Sequence, residues 1–365
     1  MIRAFIWLHR WVGLIAALFL VAVSITGALL IFEDSLERLS SPALGYVTPG
    51  PVRLPLQDLL TKVEAQGYSV LNIGIFSPAN YSDRFVARKG KEILFTFVDP
   101  YTGQVLGGIT PADRDKTFAR RIYLLHTRLI AGVTGGWIVE ITTILTALLM
   151  LTGLIVWWPR KIFSVRRSSS WRRFNFDLHS AIGFFGSAIG LIMSLTGVWM
   201  AHDKTLNPML QRLDASAPAP IPRVPTIRGQ KMMNLDELSA IADQALPGAE
   251  TRFIANPGSA SVISFGKRLP EDHTPGGRSV VYLNQYTGDV LLTVSTRTQG
   301  TGTKLINMVR SLHTGSIFGG PSEIVFGLST LSLTVLSITG FLMWWRPRRK
   351  QDVRAGERAA GHFAA

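Results

Sequence analysis

The 365-residue sequence contains no cysteine, and this absence removes several classes of chemistry. Without cysteine the chain cannot form a disulfide, ligate an iron–sulfur cluster through thiolates or attach a c-type haem covalently. Charged residues are scarce at 17 %, against 47 % hydrophobic residues, whereas soluble domains carry about 25 % charged residues. The composition therefore excludes a disordered chain and favours a membrane protein.

Motifs for nucleotide binding and for acid–base catalysis are also missing. The sequence has no Gly-x-Gly-x-x-Gly, no Gly-Lys-Ser/Thr loop and no acid–base dyad. Oxidation of a nicotinamide or a flavin would therefore have to take place on another protein.

Four apolar runs reach the length of about 20 residues that a helix needs to cross a bilayer. They are Trp11–Phe32, Trp137–Trp158, Ala181–Met200 and Ile324–Trp345. Their one charged residue is Glu140, and Glu323 precedes the fourth run. We place both acids near helix N-termini, where they complement the helix dipole. The first run lacks a convincing signal-peptidase site, so we predict an uncleaved anchor.

Most of the positive charge lies in three segments, 1–10, 159–178 and 346–365. Together they hold 14 Lys or Arg residues and three acids, and so account for +11 of the net charge of +14. Because basic loops stay on the cytoplasmic side, we predict cytoplasmic termini and a cytoplasmic middle loop. Topology and anionic membrane lipid explain the charge, and nucleic-acid binding is not predicted.

The two halves of the sequence repeat each other. A shift of 170 residues matches His9, Thr26 and Gly27 with His179, Thr196 and Gly197, and a shift of 187 matches His126, Thr152 and Gly153 with His313, Thr339 and Gly340. Each half is therefore a membrane helix, an outside domain and a second membrane helix. Repeats that run in the same direction usually pack about an axis along the membrane normal.

Each outside connection has the pattern of a small α+β unit. The predicted helices are Leu56–Gln66 and Leu235–Leu246. The predicted strands are Ser69–Phe76, Arg84–Arg88 and Ile93–Val98 in the first unit and Arg252–Ala255, Val262–Gly266 and Val280–Leu283 in the second. The segment 270–277 is predicted to be a mobile loop with a solvated His273.

Four of the seven histidines recur at matched positions near the membrane ends: His9 and His179 on the cytoplasmic side, His126 and His313 on the outer side. Three interpretations are open. The imidazoles hydrogen-bond as structural interface residues, they ligate haem b in pairs, or they form a direct metal or proton path. Neutral imidazoles from different helices are usual haem ligands.

Further candidates flank these histidines. Arg10, Arg128 and Arg310 carry guanidinium groups that suit haem propionates, although Arg10 could equally be a topology anchor. His202 ends the third span on the outer side, where its repeat partner is Phe32. It is a candidate alternative outer ligand, a gate or an interfacial residue.

In the order of these motifs the sequence resembles the PepSY-associated transmembrane family, whose members are often described as iron-regulated membrane proteins. The resemblance covers nearly the whole chain. It rests on Leu8-His9-Arg10-Trp11, on Leu125-His126-Thr127, on the Thr-Gly pairs and on the turn Asp99-Pro-Tyr-Thr-Gly. Within the family, the likeness is greatest to inner-membrane di-haem ferrisiderophore reductases of the FoxB type.

This resemblance implies two haem b groups and reduction of a ferric siderophore in the periplasm. The iron ligands would be His9 with His179 on the inner side and His126 with His313 on the outer side. The electron donor would be an unidentified cytoplasmic protein or quinol. We expect a multi-pass protein of the bacterial inner membrane. The alternatives are a non-catalytic membrane-anchored PepSY interaction module and a metal or siderophore permease.

The predicted fold is an α-helical membrane protein with four transmembrane helices in two tandem-repeated halves and two periplasmic α+β PepSY-like domains. The first half comprises transmembrane helix 1 at 1–32, a PepSY-like domain at 33–117 and an interfacial helix with transmembrane helix 2 at 118–160. A cytoplasmic loop follows at 161–178. The second half comprises transmembrane helix 3 at 179–202, a PepSY-like domain at 203–303, an interfacial helix with transmembrane helix 4 at 304–346, and a cytoplasmic tail at 347–365.

Overall fold

The computed structural model describes residues 1–76, 78–166, 170–215, 219–225, 229–258 and 260–345, so the predicted tail at 347–365 lies outside the described residues. The helices within them are α1 (Ile2–Leu30), α2 (Glu33–Ser40), α3 (Pro42–Gly45), α4 (Leu56–Ala65), α5 (Pro111–Arg114), α6 (Phe118–Arg128), α7 (Gly132–Trp157), α8 (Trp171–Ala201), α9 (Asp203–Gln211), α10 (Leu235–Ala245), α11 (Thr301–Thr314) and α12 (Gly320–Trp345). The strands are β1 (Ser69–Gly74), β2 (Asp83–Lys89), β3 (Glu92–Val98), β4 (Val105–Ile109), β5 (Glu250–Ala255), β6 (Val262–Arg268), β7 (Ser279–Asn284) and β8 (Val290–Val294).

Four helices, α1, α7, α8 and α12, are long and apolar enough to cross a membrane, which confirms the four predicted spans. Helices α1 and α8 begin at Ile2 and Trp171, well before the apolar runs. Charged residues such as Asp177 end an apolar run in the sequence but do not end a helix. As a result, His9 and His179 lie two turns inside their helices.

The four spanning helices form a bundle in which each helix packs against two neighbours. Helices α1 and α8 both pack against α7 and α12, so α1 and α8 are diagonal to each other. The middle of the bundle is filled by apolar side chains, including Leu20, Leu149 and Leu336. One hydrogen bond of 2.6 Å between the hydroxyls of Ser24 and Thr334 joins α1 to α12 at this level, as small hydroxyl residues often do between membrane helices.

The two predicted α+β units form one continuous antiparallel sheet in the order β4-β3-β2-β1-β5-β6-β7-β8. Each unit supplies four strands and one helix, α4 or α10, and the two helices contribute to a single hydrophobic core. The units meet where β1 pairs with β5, with Ile73 opposite Ile254. These two residues occupy the same position in their repeats, so the pairing has the self-complementary form of a twofold interface.

A second contact between the units follows the same symmetry. The carboxylate of Asp236, at the start of α10, accepts hydrogen bonds from the backbone N–H groups of Leu56 and Gln57 at 2.7 and 3.1 Å. In return, the side-chain oxygen of Gln57 accepts one from the N–H of Leu235 at 2.9 Å. Each helix therefore has free N-terminal donors satisfied by the other unit.

The junction between the bundle and the sheet contains a buried arginine. Arg38 of α2 is 1 % exposed, and its guanidinium lies 3.9 Å from the ring centre of Tyr81 and 4.6 Å from that of Phe76. It also donates to the carbonyl of Gly45 at 2.7 Å. Burial lowers the pKa of Arg38, and the flanking aromatic faces compensate part of that cost.

We expect Arg38→Ala to lower the free energy of unfolding of the outer domain by about 2–4 kcal/mol, because it leaves a cavity and removes the hydrogen bond from the guanidinium to the carbonyl of Gly45. Thermal unfolding of the purified protein measures this loss. The matched control is Arg88→Ala, since Arg88 of β2 is exposed and its replacement should change the melting temperature little. An equal melting temperature for both variants would contradict a stabilising role of the buried Arg38.

Residues 270–277 lie outside the helices and strands, as predicted for a loop, and the structure adds a contact that the prediction did not include. The imidazole of His273 is exposed, but its Nδ1 lies 3.1 Å from the carbonyl oxygen of Ile317 and its ring meets that of Phe318 edge to face at 6.1 Å. The loop therefore contacts the segment between α11 and α12. Sequence patterns could not show this contact, because it joins residues that are far apart along the chain.

Candidate functional site

The four matched histidines form two pairs, one towards each end of the bundle. His9 of α1 faces His179 of α8, with ring centres 6.3 Å apart. His126 of α6 faces His313 of α11, also at 6.3 Å. Each pair consists of one residue and its own repeat equivalent. The pseudo-twofold relation between the halves therefore places both pairs on the axis of the bundle.

Each imidazole is held by a threonine on a neighbouring helix. The distances from His Nδ1 to the threonine hydroxyl are 3.0 Å for His9–Thr152, 3.3 Å for His126–Thr26, 2.9 Å for His179–Thr339 and 3.1 Å for His313–Thr196. Each of these hydroxyls also lies 2.6–2.8 Å from the carbonyl oxygen four residues earlier, to which it donates. The threonine oxygen is then an acceptor, so the imidazole carries its proton on Nδ1.

This tautomer leaves Nε2 of each ring with a free lone pair. In the outer pair the assignment has further support, because Nδ1 of His126 also lies 3.0 Å from the carbonyl of Val23, and Nδ1 of His313 lies 3.0 Å from that of Met193. Within the described residues, Nε2 of the four rings makes no hydrogen bond. A histidine whose Nδ1–H is bonded to a carbonyl or hydroxyl is oriented to ligate a metal through Nε2.

A glycine follows each of these threonines, and the imidazole packs directly on it. A Cβ on Gly27 would lie 2.9 Å from Cε1 of His126, and a Cβ on Gly153 would lie 3.1 Å from Cε1 of His9. Gly197 and Gly340 have the corresponding contacts with His313 and His179 at 3.2 and 3.4 Å. The recurring Thr-Gly pair is therefore a seat for the ring: the hydroxyl orients it, and the missing side chain makes room for it.

Burial favours the neutral form of both outer imidazoles. Burial lowers the pKa of His126. Burial, followed by the neighbouring His126, lowers the pKa of His313 to about 4. Removal of a cation from water disfavours the protonated ring, and the neutral form is the one that binds a metal.

A cavity of about 360 Å³ separates the members of the inner pair. This volume lies within the range of about 300–1,000 Å³ that is typical of ligand pockets. Apolar side chains such as Leu149, Phe184 and Leu336 make up much of its wall, and the guanidinium-bearing residues Arg10 and Arg160 also line it. Arg10 was predicted to lie here, whereas Arg160 was not singled out from the sequence, because a basic residue after Trp-Trp is also typical of a membrane boundary.

The predicted outer arginines lie close to the outer pair in the chain. Arg310 is one turn before His313 on α11, and its charge contributes to the lowered pKa of that imidazole. It also forms an ion pair of 3.5 Å with Glu33 at the start of α2. Arg128 ends α6, two residues after His126, and is exposed.

His202 is not brought into the outer pair. Its Nε2 lies 2.7 Å from Oε1 of Glu140 on α7, so the nitrogen that would ligate a metal already has a partner. The position predicted for Glu140, near a helix N-terminus, is wrong because α7 begins at Gly132, two turns earlier. Glu323 lies in the first turn of α12, as predicted.

Two neutral imidazoles that face each other can act as the two axial ligands of one metal ion whose remaining positions are filled by another group. A structural metal site usually needs four protein ligands, and the described residues contain no cluster of three or more His, Asp or Glu side chains that could hold a metal ion. Within the described residues, each pair therefore offers two imidazole nitrogens as possible ligands.

The sequence model of the PepSY-associated TM region matches residues 6–346 of this chain. No curated protein matches the chain. The match includes the four apolar runs, both histidine pairs and all eight strands of the sheet. The chain is thus a multi-pass membrane protein that belongs to the PepSY-associated transmembrane family.

Proposed function

We propose that each histidine pair ligates one haem b and that the protein carries electrons across the membrane to reduce a ferric siderophore on the outer side. The observation that supports this most strongly is the ring separation of 6.3 Å, found independently in both pairs. Two metal–nitrogen bonds of about 2.0 Å each, plus about 1.1 Å from each nitrogen to its ring centre, would separate the centres by about 6.2 Å. The pairs are thus spaced to share one metal atom each.

The surroundings of the inner pair also fit a haem. The cavity between His9 and His179 is lined by glycines and apolar side chains, which suit a flat macrocycle and exclude water. Arg10 and Arg160 line the same cavity and would bind the two propionates as guanidinium–carboxylate pairs. Haem b needs no cysteine, which this chain lacks.

When bound, two haems supply one-electron redox chemistry at two depths of the membrane. The protein residues have defined roles around them. The four histidines would hold the iron atoms, and the threonines keep Nε2 unprotonated and orient the rings. His9 on α1 and Thr26, which seats His126, are 17 residues apart on the same helix, or about 25 Å at 1.5 Å per residue. The two sites would therefore span most of the hydrocarbon layer, which is about 30 Å thick.

The orientation follows from charge. The described parts of the basic segments, residues 1–10, 159–166 and 170–178, lie at the same end of the bundle as His9 and His179, and the sheet lies beyond His126 and His313. We therefore place the sheet in the periplasm of a bacterial inner membrane. A cytoplasmic protein or quinol would donate electrons at the inner pair.

Ferric siderophore is the proposed acceptor on the strength of the sequence resemblance, and the chemistry is consistent with it. One electron converts Fe(III) to Fe(II), which binds hard hydroxamate or catecholate oxygens less tightly, so that iron is released. The arginines near the outer pair, Arg128 and Arg310, would attract an anionic complex.

Vesicles that contain the purified protein test this proposal. With dithionite-reduced carrier supplied on the His9 side and a ferric hydroxamate on the sheet side, we expect Fe(II) to appear on the sheet side, as detected with a coloured Fe(II) chelator. Vesicles with His9→Ala protein should not produce it. Iron that crosses the membrane without any reductant would instead indicate a permease. If neither the wild type nor the His9→Ala protein produced Fe(II), a non-catalytic interaction module would be favoured.

A further inference from the structure

A histidine and a glutamate form a hydrogen-bonded pair beside the outer histidines, between α7 and α8. Nε2 of His202 and Oε1 of Glu140 are 2.7 Å apart, and the side chains are 41 % and 19 % exposed. Nδ1 of His202 makes no hydrogen bond to any residue that the structure describes. Both side chains are therefore partly buried and partly exposed, at the end of the bundle nearer the sheet.

The equivalent contact in the other half of the molecule is made without ionisable groups. The repeat shifts place Phe32 of the first half at the position of His202, and Gly327 of the second half at the position of Glu140. In the structure these two residues also meet: the ring of Phe32 lies 3.9 Å from the place that a Cβ on Gly327 would occupy. The scaffold therefore does not require an ionisable pair here, and the α7–α8 side alone carries one.

The pair is close to the outer site. Thr143 of α7 and His313 both approach Gly197, at 3.5 and 3.2 Å from its would-be Cβ. Glu140 lies one turn from Thr143 towards the sheet, and His202 lies five residues after Gly197 on α8, or about 7.5 Å along the axis. A charge at the outer site would therefore act on the pair across a partly buried, partly exposed surrounding.

Other charged groups at this end lie on the elements that pack against α8. They are Asp203 and Lys204 on α9, Arg310 and His313 on α11, and Glu323 on α12. Within the described residues, the one charged side chain within hydrogen-bond distance of the His202 ring is Glu140. The state of His202 is therefore coupled most directly to that carboxylate.

We propose that the His202–Glu140 pair takes up one proton from the outer aqueous phase when the outer site gains an electron, and returns it when the site is reoxidised. This inference rests on the proposed function. In this proposal, before the proton is taken up, Nε2–H of His202 donates to the carboxylate of Glu140 and the pair has a net charge of −1. Protonation at Nδ1 brings it to zero, so that the added electron and the added proton cancel. An added negative charge nearby favours the protonated imidazole.

Redox potentiometry of the full-length, haem-loaded protein at several pH values tests the inference. The outer component is identified as the one lost in His313→Ala. In the wild type we expect its midpoint potential to fall with rising pH, with a slope of up to about 59 mV per pH unit for one proton per electron. The double variant His202→Phe, Glu140→Gly copies the contact of the other half, and its slope should be close to zero.

A second variant, Glu140→Gln, keeps the shape of the pair but removes the carboxylate charge, and it should also flatten the slope. An unchanged slope in both variants of haem-loaded protein would overturn the proton-exchange role and leave the proposed function intact. Protein that purifies without haem from haem-rich cells would overturn both.

Discussion

Replacing His313 with alanine is expected to reduce the haem content from two to one per chain and to lower ferric reduction more than about 100-fold. In the proposed outer site this imidazole would supply one of two protein ligands to the metal, and loss even of a group that merely orients a ligand costs about 10–100-fold in metal affinity. Pyridine haemochromogen assays give the content, and the vesicle assay gives the rate. His179→Ala should have the same effect on content through the inner pair.

The matched control is His273→Ala, because His273 contacts the bundle through Ile317 but lies outside both pairs. This variant should keep two haems per chain. If His313→Ala also kept two haems with an unchanged spectrum, the outer pair would not be a haem site.

The second large effect is expected from a glycine. In Gly27→Val a branched side chain would start 2.9 Å from Cε1 of His126, closer than the two groups can approach, so the ring must leave its place beside Thr26. We expect loss of the outer haem with retention of the inner one, measured as haem content and as a change in the reduced-minus-oxidised spectrum. The prediction tests steric fit alone, because Gly27 itself contributes no metal ligand and no side-chain hydrogen bond.

Gly136→Val is the corresponding control in another membrane helix. A Cβ on Gly136 of α7 would have no atom within 4 Å, so this variant should contain two haems. A Gly27→Val protein with a normal spectrum would show that the Thr-Gly pair is not a seat for the imidazole.

Hydropathy was sufficient to locate the four spans, because the requirement for about 20 apolar residues is strict. It could not locate the starts of α1 and α8, since Arg10 and Asp177 interrupt the apolar pattern without interrupting the helical hydrogen bonds. Strands β4 and β8 were not predicted. They are five residues long, and in β4 the pair Gly107-Gly108 removes the side-chain alternation on which strand prediction depends.

The site was predictable in part. The internal repeat identified the four histidines and the four Thr-Gly pairs. It did not show that each imidazole packs on a Thr-Gly pair of a neighbouring helix, because matched positions in two halves do not show which helices are neighbours. The partner of His202 was hidden for the same reason. Glu140 is 62 residues away in the sequence, and only the packing of α7 on α8 joins them.

The joining of the two outside units into one sheet also lay beyond sequence patterns. Nothing in β1 or β5 alone distinguishes an exposed edge from a paired one, since alternating side chains are common to both. The equivalence of Ile73 and Ile254 becomes informative only when their pairing is known.

Haem stoichiometry of the purified wild-type protein tests the central claim most directly. After expression with ample haem, the dithionite-reduced minus oxidised spectrum should show a b-type Soret band and α band, and haem quantification should give two per chain. A protein that is folded, membrane-extracted and free of haem would contradict the assignment of both histidine pairs.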